Sequence, residues 1–416
     1  MVGVVGIAMV ALASATSGSD STAATSGSTT QATDGEPSTV DVPTTIASTT
    51  THAPATSTTS STTSTSSTTS STTSTTTSTT VPDRPFNSEV FDATIAAATV
   101  DRGDLSAGVA VIRNGRVLHA AAFGMEDPLQ LIPATVDTRF RIASVSKMFT
   151  AVAIMQLVDE GSIALDRSFT KQLGLDGPFA DPRIATVTVR QLMSHTSGFS
   201  ASRNIFFGHG VDTWQQAADN ALGQVLQFDP GAVFQYSNTN FCLLGKLLES
   251  VTGEPFETVI RERVLEPLGI RARLAPTFDT AKGDAVHASS PGRNYMEVLG
   301  PAGGWVTTPL DIAKLAATLS DPSSPLLDQA DVEAMRVPVT VPVEVPPPVN
   351  GWSYGLGLIL FGDGSWGHTG TIESSHAIVI NRPDGLTVAV LVSGKVPSNT
   401  DHLQQVIDLA VAAASS

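Results

Sequence analysis

The stretch FRIASVSK, Phe140–Lys147, decides how this chain is read. Its last four residues, Ser144-Val145-Ser146-Lys147, place a hydroxyl and an amine three positions apart at the start of an apolar run. Residues three apart on a helix share a face. A serine hydroxyl is a weak nucleophile until a neighbouring group takes its proton. A lysine whose charge is disfavoured by burial can be that group. The residues that follow, Met148, Phe149, Val152, Ile154, Met155, Leu157 and Val158, make a helix apolar nearly all round, closed by Gly161. Such a helix is buried on most sides, and burial holds its lysine fixed. A second Ser-x-x-Lys, Ser168–Lys171, lies in a Gly-, Asp- and Pro-rich stretch and reads as a solvated surface charge.

Outward from this segment the period of the sequence changes twice. Upstream, Ala107–Gly124 reads as a hairpin, because Asn114-Gly115 separates two apolar runs. Downstream, from Leu165 to about Leu319, the spacing predicts helices over Thr213–Phe228, Thr239–Val251, Glu254–Leu265 and Pro309–Leu319. Pro255 sits near the first turn of the third, and Thr308 with Asp311 fits a capping box for the fourth. Beyond that, Tyr354–Phe361, Ser365–Glu373, Ala377–Asn381 and Leu386–Ser393 read as strands, and Asp401–Ala414 closes as a helix. Strands at both ends with helices between them predict an α+β fold: an antiparallel sheet flanked by helices plus a mostly helical subdomain, with a cleft between them.

Two further motifs join the first. Tyr236-Ser237-Asn238 is the only Tyr-x-Asn in the chain and precedes a helix. His368-Thr369-Gly370 lies on a predicted strand, where a glycine lets a substrate backbone come close. Ser-x-x-Lys, Ser-Asp-Asn and Lys-Thr-Gly in this order mark class A β-lactamases and penicillin-binding proteins. Here Tyr236 stands for the serine that opens the second motif and His368 for the lysine of the third.

On these residues the chain resembles the penicillin-recognising serine hydrolases. It is most similar to their class C β-lactamase, secreted D-alanyl-D-alanine carboxypeptidase and esterase branch. FRIASVSK, LMSHTSGF (Leu192–Phe199), FQYSNTNF (Phe234–Phe241), PAGGWVTTPLDIAK (Pro301–Lys314), YGLGL (Tyr354–Leu358) and GHTGT (Gly367–Thr371) carry the resemblance. It implies a β-lactamase/transpeptidase-like fold. It implies Ser144 as the acylated nucleophile, with Lys147 and Tyr236 moving its proton and protonating the leaving group. Asn238 would hold Lys147 and a substrate amide oxygen. His368, Thr369 and Gly370 would bind the group beside the scissile bond, and the backbone N–H groups of Ser144 and Thr371 would form the oxyanion hole. No metal and no cofactor is implied.

Other residues invite rival readings. Gly351-Trp352-Ser353-Tyr354-Gly355 fits a nucleophile elbow, but Pro346-Pro347-Pro348 precedes it and a strand-like run follows, where the elbow needs strand then helix. His195 reads as a loop-structuring histidine rather than a general base. The single cysteine, Cys242, excludes an intrachain disulfide and reads as a buried structural thiol. No His, Asp or Glu spacing resembles a zinc site.

Composition divides the 416 residues. Residues 1–15 are apolar and end in a small-residue cleavage pattern, the h-region of a signal peptide, although no Lys or Arg precedes Arg84. Residues 16–82 are Ser/Thr-rich and cannot offset their ordering entropy, so a disordered stalk is expected. Residues 83–416 form the hydrolase domain, with a helical insertion over about 165–319. The protein is expected outside the cytoplasm, secreted or displayed on its stalk, as a monomer without a stable membrane anchor. A net charge of −16 argues against nucleic acid as a partner. The partner is then a small-molecule or peptide substrate. Peptidoglycan stem peptides of the D-Ala-D-Ala type and β-lactams rank ahead of small carboxylic esters, and a non-catalytic wall-binding module is the rival from another class. The replacement of lysine by His368 weakens the case for a carboxylate-bearing substrate.

Overall fold

Asn114 and Gly115 turn the chain with φ of 50° and 73°, the left-handed pair that a two-residue hairpin needs. They join β1 (Ser106–Arg113) to β2 (Arg116–Asp127). In chain order there follow β3 (Ile132–Pro133), β4 (Phe140–Arg141), β5 (Arg273–Leu274), β6 (Trp305–Thr307), β7 (Ser353–Tyr354), β8 (Ile359–Leu360), β9 (Trp366–Ile372), β10 (Ser375–Asn381) and β11 (Leu386–Ser393). Eight of them form one antiparallel sheet in the order β3-β2-β1-β11-β10-β9-β8-β7, and β4-β6-β5 form a small second sheet. This computed structural model describes residues 85–200, 210–278, 281–342, 351–394 and 400–416. The h-region over 1–15 and the stalk over 16–82 lie outside the described residues.

Strand alternation assigns the two faces of the large sheet. Val388, Val390 and Val392 of β11 pack with Phe91 and Ile95 of the Ser88–Ala98 helix and with Leu403 and Ile407 of the Thr400–Ala414 helix. Ala389 and Leu391 face the other way, into the larger core shared with the Lys147–Asp159 and Pro309–Leu319 helices. Both faces of β11 are therefore buried along its whole length. An antiparallel sheet flanked by helices, with a mostly helical region inserted between its strands, is the predicted α+β architecture.

Several boundaries differ from expectation. Residues 354–361 form two short strands rather than one, because the chain turns over Gly355–Leu358. A side chain at Gly355 would overlap the Met335 carbonyl, and Gly357 holds φ 76°. The first turn of the nucleophile helix, Ala143–Ser146, is 3₁₀ before the α-helix Lys147–Asp159 begins. The helix expected over Thr213–Phe228 runs only Trp214–Leu222, capped by Thr213 at its start and by Gly223 at its end. The segment expected as one helix over Glu254–Leu265 starts at Phe256 and loosens into a π turn at Arg261–Leu265. Thr308 does cap Pro309–Leu319 by accepting from Asp311 N, but the Asp311 carboxylate accepts from Arg271 N instead of closing the box. Ser353 lies in β7 and leads to β8 with no helix after it, so the elbow reading falls.

Candidate active site

The nucleophile turn is clamped before it reaches Ser144. Phe140 and Arg141 of β4 pair with Thr307 and Val306 of β6. Ile142 N then donates to Trp305 O at 3.1 Å, and Trp305 N donates to Ser146 Oγ at 3.3 Å. Ala143 takes φ 46°, a left-handed conformation that costs a side-chain-bearing residue about 1–3 kcal/mol. This bend leaves Ser144 partly exposed while Ala143, Val145 and Ser146 are buried.

Lys147 is 0% exposed. Its Nζ lies 3.1 Å from Ser144 Oγ, 2.7 Å from Asn238 Oδ1 and 2.7 Å from Ala302 O. Two of these partners can only accept, whereas a hydroxyl can also donate. A neutral amine has two N–H groups and one lone pair. As the ammonium, Lys147 donates to all three; as the neutral amine it can donate to Asn238 and Ala302 and offer its lone pair to the Ser144 proton. Burial drives Lys147 toward that neutral form, well below the usual amine range. A charged Cys242 would oppose the shift, but burial raises that thiol to about 12 and keeps it neutral.

Tyr236 faces the same amine, with Lys147 Nζ 4.9 Å from its ring centroid. Burial raises the phenol's pKa and keeps it protonated, and the neighbouring Ser144 hydroxyl offsets part of that rise. Its oxygen is buried without a hydrogen-bond partner among the described residues. Contacts that form fully only with substrate in place are common in unliganded sites. Asn238 is the first residue of the helix Asn238–Thr252, which ends at Gly253 with φ 74°. Tyr236 and Asn238 thus leave one loop on either side of Ser237.

The third motif lies on β9. β8 covers only Trp366 and Gly367, so residues 368–372 present an open edge on that side. The two-residue turn at Glu373–Ser374 makes Ile372–Ser375 a bonded pair and Thr371–His376 an unbonded one. The Thr371 N–H consequently points away from β10, toward the open edge. At Gly370 an added Cβ would stand 2.3 Å from Ile142 O and 2.8 Å from Ser144 N. The glycine was expected to admit a substrate backbone; its missing side chain instead admits the protein's own nucleophile turn.

His368 is fully buried. Its Nδ1 lies 2.6 Å from Thr369 O, a pure acceptor, so Nδ1 carries the proton and Nε2 accepts from the Tyr354 hydroxyl at 2.9 Å. Burial, aided by the Lys147 amine, lowers its pKa to about 3. It carries no charge near neutral pH. The sequence also missed Tyr354 and the Ala302 carbonyl. A carbonyl belongs to every residue type and leaves no trace in a sequence, whereas Tyr354 opened the quoted YGLGL segment.

Of the remaining candidates, Cys242 is buried with its thiol 3.8 Å from Val298 O and Leu299 O. Lys171 of the second Ser-x-x-Lys is exposed on the short helix Phe169–Gln172. His195 is buried with φ 58°. Its Nδ1 accepts from Ser237 N at 3.2 Å, so it organises the Tyr236 loop as well as its own turn.

The Beta-lactamase family model matches residues 91–412. The chain belongs to the Beta-lactamase family. Within that family it is 27% identical to penicillin-binding protein 4 of Amycolatopsis lactamdurans, over 78% of this chain and 90% of that one. It is 33% identical to the esterase EstB of Burkholderia gladioli over 43% of this chain and 49% of that one. Among solved structures it superposes on a D-stereospecific amidohydrolase from Streptomyces with TM-score 0.61 and 28% identity, covering 78% and 98% of the two chains. A penicillin-binding protein homologue from Pyrococcus abyssi gives 0.64 and 26%, covering 77% of each. This chain has the β-lactamase/transpeptidase-like fold, and the protein is a serine hydrolase. The wall-binding module without catalysis is set aside.

Proposed function

We propose that the protein hydrolyses acyl compounds through an acyl-enzyme on Ser144, and that esters and amides without a free carboxylate are its better substrates. The Lys147 lone pair takes the Ser144 proton as Oγ bonds to the acyl carbon. The oxyanion settles on the Ser144 and Thr371 N–H groups, donors worth about 3–4 kcal/mol of barrier each. The bond to the leaving group then breaks, the Tyr236 phenol protonates the departing heteroatom, and the Lys147 ammonium returns a proton to Tyr236. Asn238 holds the amine throughout, and His368, Thr369 and Gly370 shape the edge on which the substrate lies.

One observation carries the substrate ranking: both ring nitrogens of His368 are committed inside the protein, so it offers no cation to a carboxylate. This moves esters and amides ahead of D-Ala-D-Ala peptides and β-lactams. The second reading keeps support from the match to penicillin-binding protein 4, which spans 90% of that relative. The apolar residues 1–15 and the Ser/Thr-rich 16–82 support a location outside the cytoplasm, and the charge of −16 supports a small substrate over nucleic acid.

The test compares a nitrophenyl butyrate, a D-amino-acid amide, a D-Ala-D-Ala peptide and a chromogenic cephalosporin, with Ser144→Ala beside the wild type. The expected result is the highest kcat/KM on the first two, abolished in the variant. A clear preference for the peptide or the cephalosporin reverses the ranking. Activity retained by Ser144→Ala removes the acyl-enzyme assignment.

A further inference from the structure

We infer that His195 is the positioning residue for Tyr236, holding the phenol beside the Ser144–Lys147 pair through an acceptor nitrogen and a ring packed against it at a tilt. This rests on the reading of Tyr236 as proton donor. His195 ends the turn after the helix Val189–Met193, and its carbonyl accepts from Gln235 N at 2.8 Å. On the other side of Tyr236, His195 Nδ1 accepts from Ser237 N at 3.2 Å. The histidine therefore grips the backbone immediately before and immediately after the tyrosine. Its ring lies 4.2 Å from the Tyr236 ring, closer than its 4.8 Å to Tyr354, 5.4 Å to Phe241 or 6.1 Å to Phe234. With its backbone fixed on both sides and its ring packed against the imidazole, the phenol has little freedom to leave the nucleophile.

The acceptor role fixes the tautomer. Asn240 accepts from Ser197 Oγ at 2.7 Å through Oδ1, so its amide nitrogen, 3.1 Å from His195 Nδ1, donates. With two donors aimed at it, Nδ1 carries the lone pair and the proton resides on Nε2. Nε2 is buried without a partner among the described residues. A purely structural histidine would be expected to use both nitrogens, because an unmet buried donor is costly. Here one nitrogen and the ring face suffice, and both engage the Tyr236 loop.

The experiment separates the two grips. His195→Asn keeps a short-range acceptor and tolerates the left-handed φ. His195→Phe keeps a ring and loses the acceptor, and His195→Ala loses both. Acylation rate constants are measured at saturating ester, with thermal unfolding alongside. The sequence holds only three tyrosines, so ring-labelled tyrosine NMR, assigned with Tyr295→Phe and Tyr354→Phe, reports on Tyr236 without any reaction. The expected result is a fall in acylation of about 100-fold in His195→Ala, the scale of a small misplacement, with KM within about twofold. The Tyr236 signal broadens or splits, and His195→Asn and His195→Phe each recover part of both. Should His195→Ala not fold, the Asn and Phe variants carry the comparison against wild type. An unmoved Tyr236 signal in the variants that fold overturns the inference, whatever the rates do. A displaced Tyr236 signal with unchanged acylation keeps the positioning and instead removes Tyr236 from the proposed chemistry.

Discussion

Tyr354 donates its hydroxyl to His368 Nε2 across 2.9 Å, which locks the imidazole of the third motif as a neutral group beneath the cleft. Three other histidines, His195, His287 and His376, sit in similar surroundings. Burial lowers His287 to about 3 and His376 to about 4. A depressed base takes up protons more readily in the unfolded chain. Its contribution is therefore complete above the ordinary value of 6.5 and is lost as pH falls toward the folded-state value. At pH 5 the loss is about 2 kcal/mol for each of His368 and His287. Tm is expected to drop clearly between pH 7.5 and pH 5, and the drop should shrink in His287→Gln. An identical drop in that variant would remove His287 from the account.

The neutral Lys147 sets the pH dependence of acylation. Burial holds its pKa well below the usual 10.5, so the reactive amine persists to lower pH than that of an exposed lysine and is lost as pH falls through that lowered value. The acylation rate should rise with pH, level off well before 10.5 and show no further gain toward it. A rate still climbing steeply between pH 9 and 10.5 would mean that the lysine is an ordinary ammonium. Lys147→Arg, which keeps a permanent charge, is expected to lower kcat/KM by about 1,000-fold or more.

Asn238→Asp tests the same balance from the opposite side. A carboxylate 2.7 Å from the amine favours the ammonium form and raises the lysine's pKa. The acid limb of the pH–rate profile should move up by about one unit or more, with activity at pH 7 reduced and partly regained in alkali. A profile that keeps its shape while losing amplitude would show that Asn238 acts on the substrate alone.

Gly370→Ala probes the contact between β9 and the nucleophile turn. The new methyl meets Ile142 O and Ser144 N at 2.3 Å and 2.8 Å, and both are backbone atoms with no rotamer to escape into. The turn and the strand must part, which misaligns Ser144 with the Thr371 N–H. A loss of about 100-fold in kcat is expected, with the secondary structure unchanged by circular dichroism. Near-normal kcat would mean that the turn shifts without catalytic consequence.

How far the sequence could be read depended on how local each signal was. Leu386–Ser393 and Pro309–Leu319 were legible to the residue, since alternation in the first and the Thr308–Pro309 start of the second are encoded within a few positions. The split of 354–361 was not, because Gly355 is glycine for the sake of the Met335 carbonyl, twenty positions earlier in the chain. The small sheet of β4, β5 and β6 has strands of two or three residues, too short to show any period. The candidate site followed the same rule. Ser144, Lys147, Tyr236 and Asn238 were visible as motif letters, and the structure gathers them around one amine. Tyr354, Ala302 and the grip of His195 on Ser237 were not visible, because each is defined by a partner from a distant segment.

Lys147 meets its three partners on segments that are far apart along the chain, at Ser144, Asn238 and Ala302. Before those segments assemble, its amine is hydrated and protonated and Ser144 is an unreactive alcohol. The reagent therefore comes into being only when the last of them docks, and a chain still in the course of folding carries no activated nucleophile.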